Sequence, residues 1–272
     1  MYKKWERFVR AWTDYPLQEG TLIGQRYRVI AQIGVGSYGI TYYCLDEREQ
    51  RKVAVKQAKP SKKRIGQILL AREREIIAKL DHPFIPTYRD YIQEGRSLWL
   101  VTDYVKGQTL EDMIFGEGRI FRERDTVEWT LQLMDRVQHV HHKGFVHLDL
   151  RIPNIVISEG NLYLIDFGLA QPIGDGPPVK QILKQTVTHS LTSRKPANIQ
   201  SDLFDIGHLM LFMLYSSFTP ESGVMERHWS EELKLSKQLR LILRRLFGED
   251  EPYQHCSDFV ADLHGSLAWL ES

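Results

Sequence analysis

The chain has 272 residues, 42% of them hydrophobic, enough to bury the core of one large domain or of two smaller lobes. Its 36 Lys and Arg stand against 35 Asp and Glu, so no global excess of charge invites a nucleic acid as partner. Cys44 and Cys256 lie too far apart for a metal spacing or a disulfide framework, and there is neither a span of roughly 18 apolar residues nor a signal-peptide core; the expected setting is soluble, reduced and cytoplasmic, with no transmembrane segment.

Residues 1–24 read as an N-terminal extension. MYKKWERFVRAW, residues 1–12, places Tyr2, Trp5, Phe8, Val9 and Trp12 at helical spacing with Lys3, Lys4, Arg7 and Arg10 elsewhere around the helix. Such a helix packs on its own domain or docks on a membrane surface or a partner. From Tyr27 the pattern turns strand-like. YRVIAQI, ITYYCLD and RKVAVKQ are short, β-branched or aromatic-rich and separated by polar turns, which predicts three antiparallel strands. KKRIGQILLAREREIIAKL predicts a helix laid on that sheet, stopped by Asp81, His82 and Pro83. TYRDYIQ and SLWLVTD add two strands. Beyond them, RERDTVEWTLQLMDRVQHVHH, SDLFDIGHLMLFMLY, KQLRLILRRLF and CSDFVADLHGSLAWL all carry helical periods. The expected fold is α+β and bilobal: a small five-stranded antiparallel β lobe with one helix (25–104), then a larger, mainly α-helical lobe (105–272), with a hinge near 104–108.

The chemistry-bearing residues fall in order along this frame. IGVGSYGITY carries Gly34, Gly36 and Gly39 between two predicted strands, where glycine lets backbone N–H groups approach phosphates. A strand after the glycines, not a helix, argues against a dinucleotide fold. Lys56 ends the V-A-V-K run, and the next helix offers Glu73 as an ion-pair partner, with Glu75 as the fallback. HLDLRIPN supplies Asp149 and Asn154 on a loop, and LIDFG supplies Asp166 after a strand. A carboxylate to accept a hydroxyl proton, plus an amide and a second carboxylate to hold Mg²⁺, are the parts that phosphoryl transfer needs.

Together and in this order, from about Tyr27 to Leu267, these motifs resemble the protein kinase family, of the Ser/Thr type found in bacteria as well as eukaryotes. The resemblance implies an enzyme that uses ATP and Mg²⁺ (or Mn²⁺) on protein substrates. Gly34, Val35, Gly36 and Gly39 would cover the phosphates, and Lys56, paired with Glu73, would bind the α and β phosphates. Asp149 would be the catalytic base, and Asn154 and Asp166 the metal ligands. Thr102 matches the gatekeeper, the backbones of Asp103 and Val105 match the adenine-binding hinge, and Ile40, Ala54 and Val156 would enclose the adenine. His147, Phe167, Ile77 and Tyr88 match a stacked apolar column anchored by Asp202, which makes His147 a packing residue more than a proton shuttle.

Departures from the family pattern cluster. Leu148 stands where relatives carry an arginine that binds a phosphate on the activation segment. Arg151 stands where many carry lysine, and keeps the charge as a planar fork. The A-P-E glutamate, expected near Ser190, and its arginine partner, at His255 of EPYQHC, are both absent. Activity is therefore expected not to depend on phosphorylation at Thr186, Thr188, Ser190, Thr192 or Ser193. Two alternatives stay open: an ATP-binding pseudokinase scaffold, and a kinase-like enzyme acting on a small molecule.

Overall fold

The structure is a computed structural model that describes residues 14–175, 195–219 and 227–270. The helix expected over residues 1–12 and the five activation-segment hydroxyls, Ser190 included, lie outside the described residues. The chain divides into two compact units, Met1–Val105 and Lys106–Ser272.

The first unit is built on β1 (Leu22–Ile23), β2 (Tyr27–Val35), β3 (Gly39–Asp46), β4 (Arg51–Ala58), β5 (Tyr88–Glu94) and β6 (Ser97–Asp103), with helix α1 (Lys63–Ile77) between β4 and β5. All neighbours are antiparallel, in the order β1-β2-β3-β4-β6-β5. Five of these strands are the expected ones; β1 is a two-residue edge strand, too short to leave a period in the sequence. Alternation assigns the faces. Val53 and Val55 of β4 are fully buried on one side with Tyr42, Cys44, Trp99 and Val101, while Ala54 and Lys56 point to the other. The N-terminal segment covers that buried side: Leu17 packs on it, and the Leu17 N–H donates to the Tyr42 hydroxyl at 3.1 Å. Helix α1 buries Leu69, Leu70, Glu73, Ile76 and Ile77, a stripe at steps of three and four. It ends at Ile77, three residues short of the expected Leu80.

The second unit packs α2 (Glu123–His142), α3 (Ile199–Tyr215), α5 (Lys237–Phe247) and α6 (Cys256–Leu270), with the short α4 (Trp229–Glu232) between α3 and α5. Caps fix their ends. Asn198 accepts from the Ser201 N–H at 3.0 Å to start α3, Ser236 starts α5, and Gly248 at φ 71° stops α5. Short ladders position the loops: β7 (Gln108–Thr109), β9 (Ile155–Ser158) and β10 (Asn161–Leu164) form one sheet, and β8 (Phe145–Val146) pairs with β11 (Gln171–Pro172). The β8–β11 pair brackets both HLDLRIPN and DFG, so the two motifs leave and return to one anchored strip. No helix among the described residues is long and apolar enough to cross a membrane.

Gly107, just before β7, lies close against β9: a Cβ there would overlap the Ile157 carbonyl and come 2.9 Å from Val156 Cγ1. Gly107→Ala should therefore destabilise the second unit by about 1–3 kcal/mol through enforced backbone movement. Denaturant unfolding measures this, and an unchanged midpoint would show that the strip yields freely.

Candidate active site

In the first unit the pleat does the positioning. The β2–β3 hairpin closes through the Gly36 N–H donating to the Gly39 carbonyl at 2.9 Å, and Gly34, Gly36 and Gly39 all lie in it. Gly39 has a specific reason to be glycine: a Cβ would stand 3.2 Å from Lys56 Cε and 3.1 Å from the Gln57 carbonyl. Lys56 Nζ reaches both carboxylate oxygens of Glu73, at 2.9 and 2.8 Å, with Glu73 only 5% exposed. A buried carboxylate needs such a partner, and the ammonium is held in one place by a two-point contact. Glu75 faces out, 64% exposed beside Arg74. Ile40 is buried and Val35 exposed. Ala54 pairs with Thr102 across β4 and β6, and Val53 with Asp103. Arg89 forks onto the Asp103 carboxylate at 2.7 and 2.8 Å, and the Asp103 N–H donates to the Thr87 carbonyl. Val105 closes the unit.

In the second unit a buried acid does it. Asp202, at the start of α3, is fully buried and accepts from the His147 N–H at 2.9 Å and the Leu148 N–H at 2.8 Å. His141 Nε2 lies 2.8 Å from the same carboxylate. Leu148 is held at φ 62°, a conformation most side chains avoid and one that persists only where the surroundings over-determine it. Asp149 follows. Its carboxylate takes Asn154 Nδ2 at 2.9 Å, Arg151 Nε at 2.7 Å and Arg151 Nη2 at 3.1 Å. The Ile165 N–H donates to the Asn154 carbonyl at 3.0 Å, which ties the segment carrying Asp166 to that carrying Asn154. Asp166 sits at φ 62°, and its Oδ1 accepts from the Gly168 N–H at 3.1 Å. Val156, on β9, is buried.

His147 is fully buried, and desolvation pushes its pKa below the usual imidazole value. The Asp149 N–H donates to Nδ1, so the ring proton belongs on Nε2, facing the Ile165 carbonyl at 3.3 Å. The neutral ring stacks edge-on with Phe167, centroids 4.8 Å apart. That is a packing role. Ile77 and Tyr88 belong to the other unit.

Three features went unread in the sequence. His141 joins Asp202. Lys195 and Asp205 form an ion pair beside Asp149 and Arg151, and the four line a cavity of about 240 Å³. At the end of the chain Arg245 stacks 3.8 Å over the Tyr253 ring, and both bind Asp262, at 2.7 Å each. His255 is exposed. None of the three has a local pattern to betray it.

With this geometry in place, comparison with known proteins is decisive. The family described as Protein kinase domain matches residues 27–264. The chain belongs to the protein kinase family. Its relatives place it with the serine/threonine kinases: it is 32% identical over 259 residues to the probable serine/threonine-protein kinase YbdM of Bacillus subtilis, covering 93% of this chain and 94% of that one. It is 29% identical over 211 residues to the probable serine/threonine-protein kinase SCO3848 of Streptomyces coelicolor, covering 73% of this kinase but 31% of that longer protein. The fold is that of the Mycobacterium tuberculosis PknI kinase domain, with a TM-score of 0.68 at 18% identity, covering 92% of this chain and 99% of that one.

Asp202→Ala would leave the His147 and Leu148 N–H groups without their acceptor in a buried place. The kinase should lose about 2–5 kcal/mol of stability. Urea unfolding measures it, and a loss below about 0.5 kcal/mol would mean that the loop holds its shape without the acid.

Proposed function

We propose that this chain binds ATP with Mg²⁺ or Mn²⁺ and transfers the γ-phosphoryl group to serine or threonine hydroxyls of protein substrates in the cytoplasm, without needing phosphorylation of its own activation segment. The observation that carries the reading is the preset state of the polar groups: Lys56 already holds Glu73, and Asp149 is already fixed by Asn154.

The donor set fits a hard cation. Asn154 commits its amide nitrogen to the Asp149 carbonyl and carboxylate, which leaves its amide oxygen as the ligand atom, and Asp166 adds carboxylate oxygen. The ion, when bound, neutralises charge on the phosphates. Lys56 binds the α and β phosphates, and its ion pair with Glu73 keeps it at the right height. The backbone of Gly34, Val35, Gly36 and Gly39 covers the phosphates, Ile40, Ala54 and Val156 enclose the adenine, and the Asp103 and Val105 backbones read its edge beside Thr102. Asp149 takes the proton of the acceptor hydroxyl as that oxygen bonds to the γ-phosphorus and the bond to the bridging oxygen of ADP breaks. Arg151, next to Asp149, presents a cation to the group in transit.

Independence from loop phosphorylation rests on Leu148, an aliphatic side chain that offers no cation to a phosphate. The aromatic and cationic pattern of residues 1–12 supports a membrane or partner contact through them.

Labelled ATP with Mg²⁺ and generic protein substrates tests the reading. Wild type should label protein, and Asp149→Asn should be slower by roughly 10²–10⁴-fold. Binding without transfer would make the chain a scaffold; turnover only with small metabolites would move it to another substrate class. A variant with alanine at Thr186, Thr188, Ser190, Thr192 and Ser193 should keep its rate within about threefold, and a fall to background would overturn the claim of independence.

A further inference from the structure

Helix α1, which carries Glu73, starts poorly on its own terms. Its first turn contains no acid and its N-cap residue, Lys62, makes no side-chain cap bond. Lys62, Lys63 and Arg64 put successive cations at the positive end of the helix dipole, where they are unfavourable. Lys63 is held at φ 45° and ψ −131°, a conformation that a side chain resists. A strained, wrongly charged start needs an external hold.

Asp14 is in contact with that start. Its Oδ1 accepts from the Ser61 N–H at 2.9 Å and its Oδ2 from the Ser61 hydroxyl at 2.5 Å, 47 residues away in sequence. Ser61 lies in the 3₁₀ turn Pro60–Lys62 that leads into α1, so a carboxylate from the N-terminal segment supplies the anion that the helix's own first turn lacks. The same turn carries the glycine hairpin. The Lys59 N–H donates to the Tyr38 carbonyl at 2.9 Å, and Lys62 Nζ stands 5.3 Å from the Tyr38 ring centroid. Asp14, Val35, Ser37, Lys59, Ser61 and Lys62 line one cavity of about 400 Å³. The backbone from which both Glu73 and the hairpin tip are suspended is thus pinned by one remote acid.

We infer that Asp14 is a positioning residue for phosphoryl transfer, setting the start of α1 and with it the Lys56–Glu73 pair and the glycine hairpin. The inference rests on the kinase reading above, and the test separates the two. Asp14→Ala, Arg64→Glu and the double variant are compared by hydrogen–deuterium exchange across residues 63–77 without nucleotide, and by kcat and by KM for ATP and for a protein substrate. Asp14→Ala should speed exchange in α1 and lower kcat/KM for ATP roughly 2- to 30-fold, with KM for the protein substrate unchanged. Arg64→Glu places an acid in the helix's own first turn and should restore most of the loss in the double variant. Should Asp14→Ala not fold, Asp14→Asn, equal in shape but uncharged, carries the same expectations. Unchanged exchange and ATP kinetics would overturn the inference. So would a loss that Arg64→Glu does not rescue, since Asp14 would then only fasten the N-terminal segment. A wild type without transfer activity but with Asp14-dependent exchange would remove the role in transfer and the kinase reading while leaving the tether.

Discussion

A carboxylate with no access to water is tolerated only where donors meet it, and Asp202 meets three, two of them backbone N–H groups of the loop that carries Asp149. The dependence runs both ways. Without the loop the acid keeps only His141 as a partner; without the acid Leu148, at positive φ, loses the acceptor of its N–H. Because α3 is apolar on most sides and deep in its unit, the acid at its first turn is fixed by packing rather than by the site. Asp149 inherits that rigidity through one residue of chain, and passes it to Asn154 and Arg151. The fixed geometry of Asp149 is therefore a property of the helical core more than of the loop.

The two units reach order by different means. In the first, a two-residue pleat repeat and a helical stripe bring Lys56 and Glu73 face to face, so regular structure alone aims the side chains. In the second, the chemistry lies on turns, and its backbone is in places where regular structure cannot go: Leu148 and Asp166 both have φ of 62°. Leu148 is met there by Asp202, at the start of a helix far along the chain, and Asp166 by the Gly168 N–H two residues on.

That difference accounts for what the sequence revealed. Glycine spacing, the V-A-V-K strand, the helix with Glu73 and the loop acids are local patterns, and each follows from a period or a short motif. Even the choice of Glu73 over Glu75 follows from a stripe, because two residues along a helix turn the side chain to the opposite side. His141 as a partner of Asp202, the Arg245–Tyr253–Asp262 cluster and the Asp14 contact with Ser61 left no such trace. Their members are 8 to 61 residues apart and of common types, so only the folded chain pairs them. The cluster ties Arg245, Tyr253 and Asp262 together, while His255 is left to the solvent.

The cover laid over the sheet by the N-terminal segment bears on assembly. Tyr42, Val55 and Trp99 present the kind of broad apolar face through which β-rich units commonly associate, yet each is already shielded from water, with Leu17 and Ile92 packed at the margin. Surface that water never touches yields no hydrophobic gain when a second molecule arrives. A second molecule approaching this side of the unit would meet Leu17 and Ile92 first and gain little from the apolar face that they border.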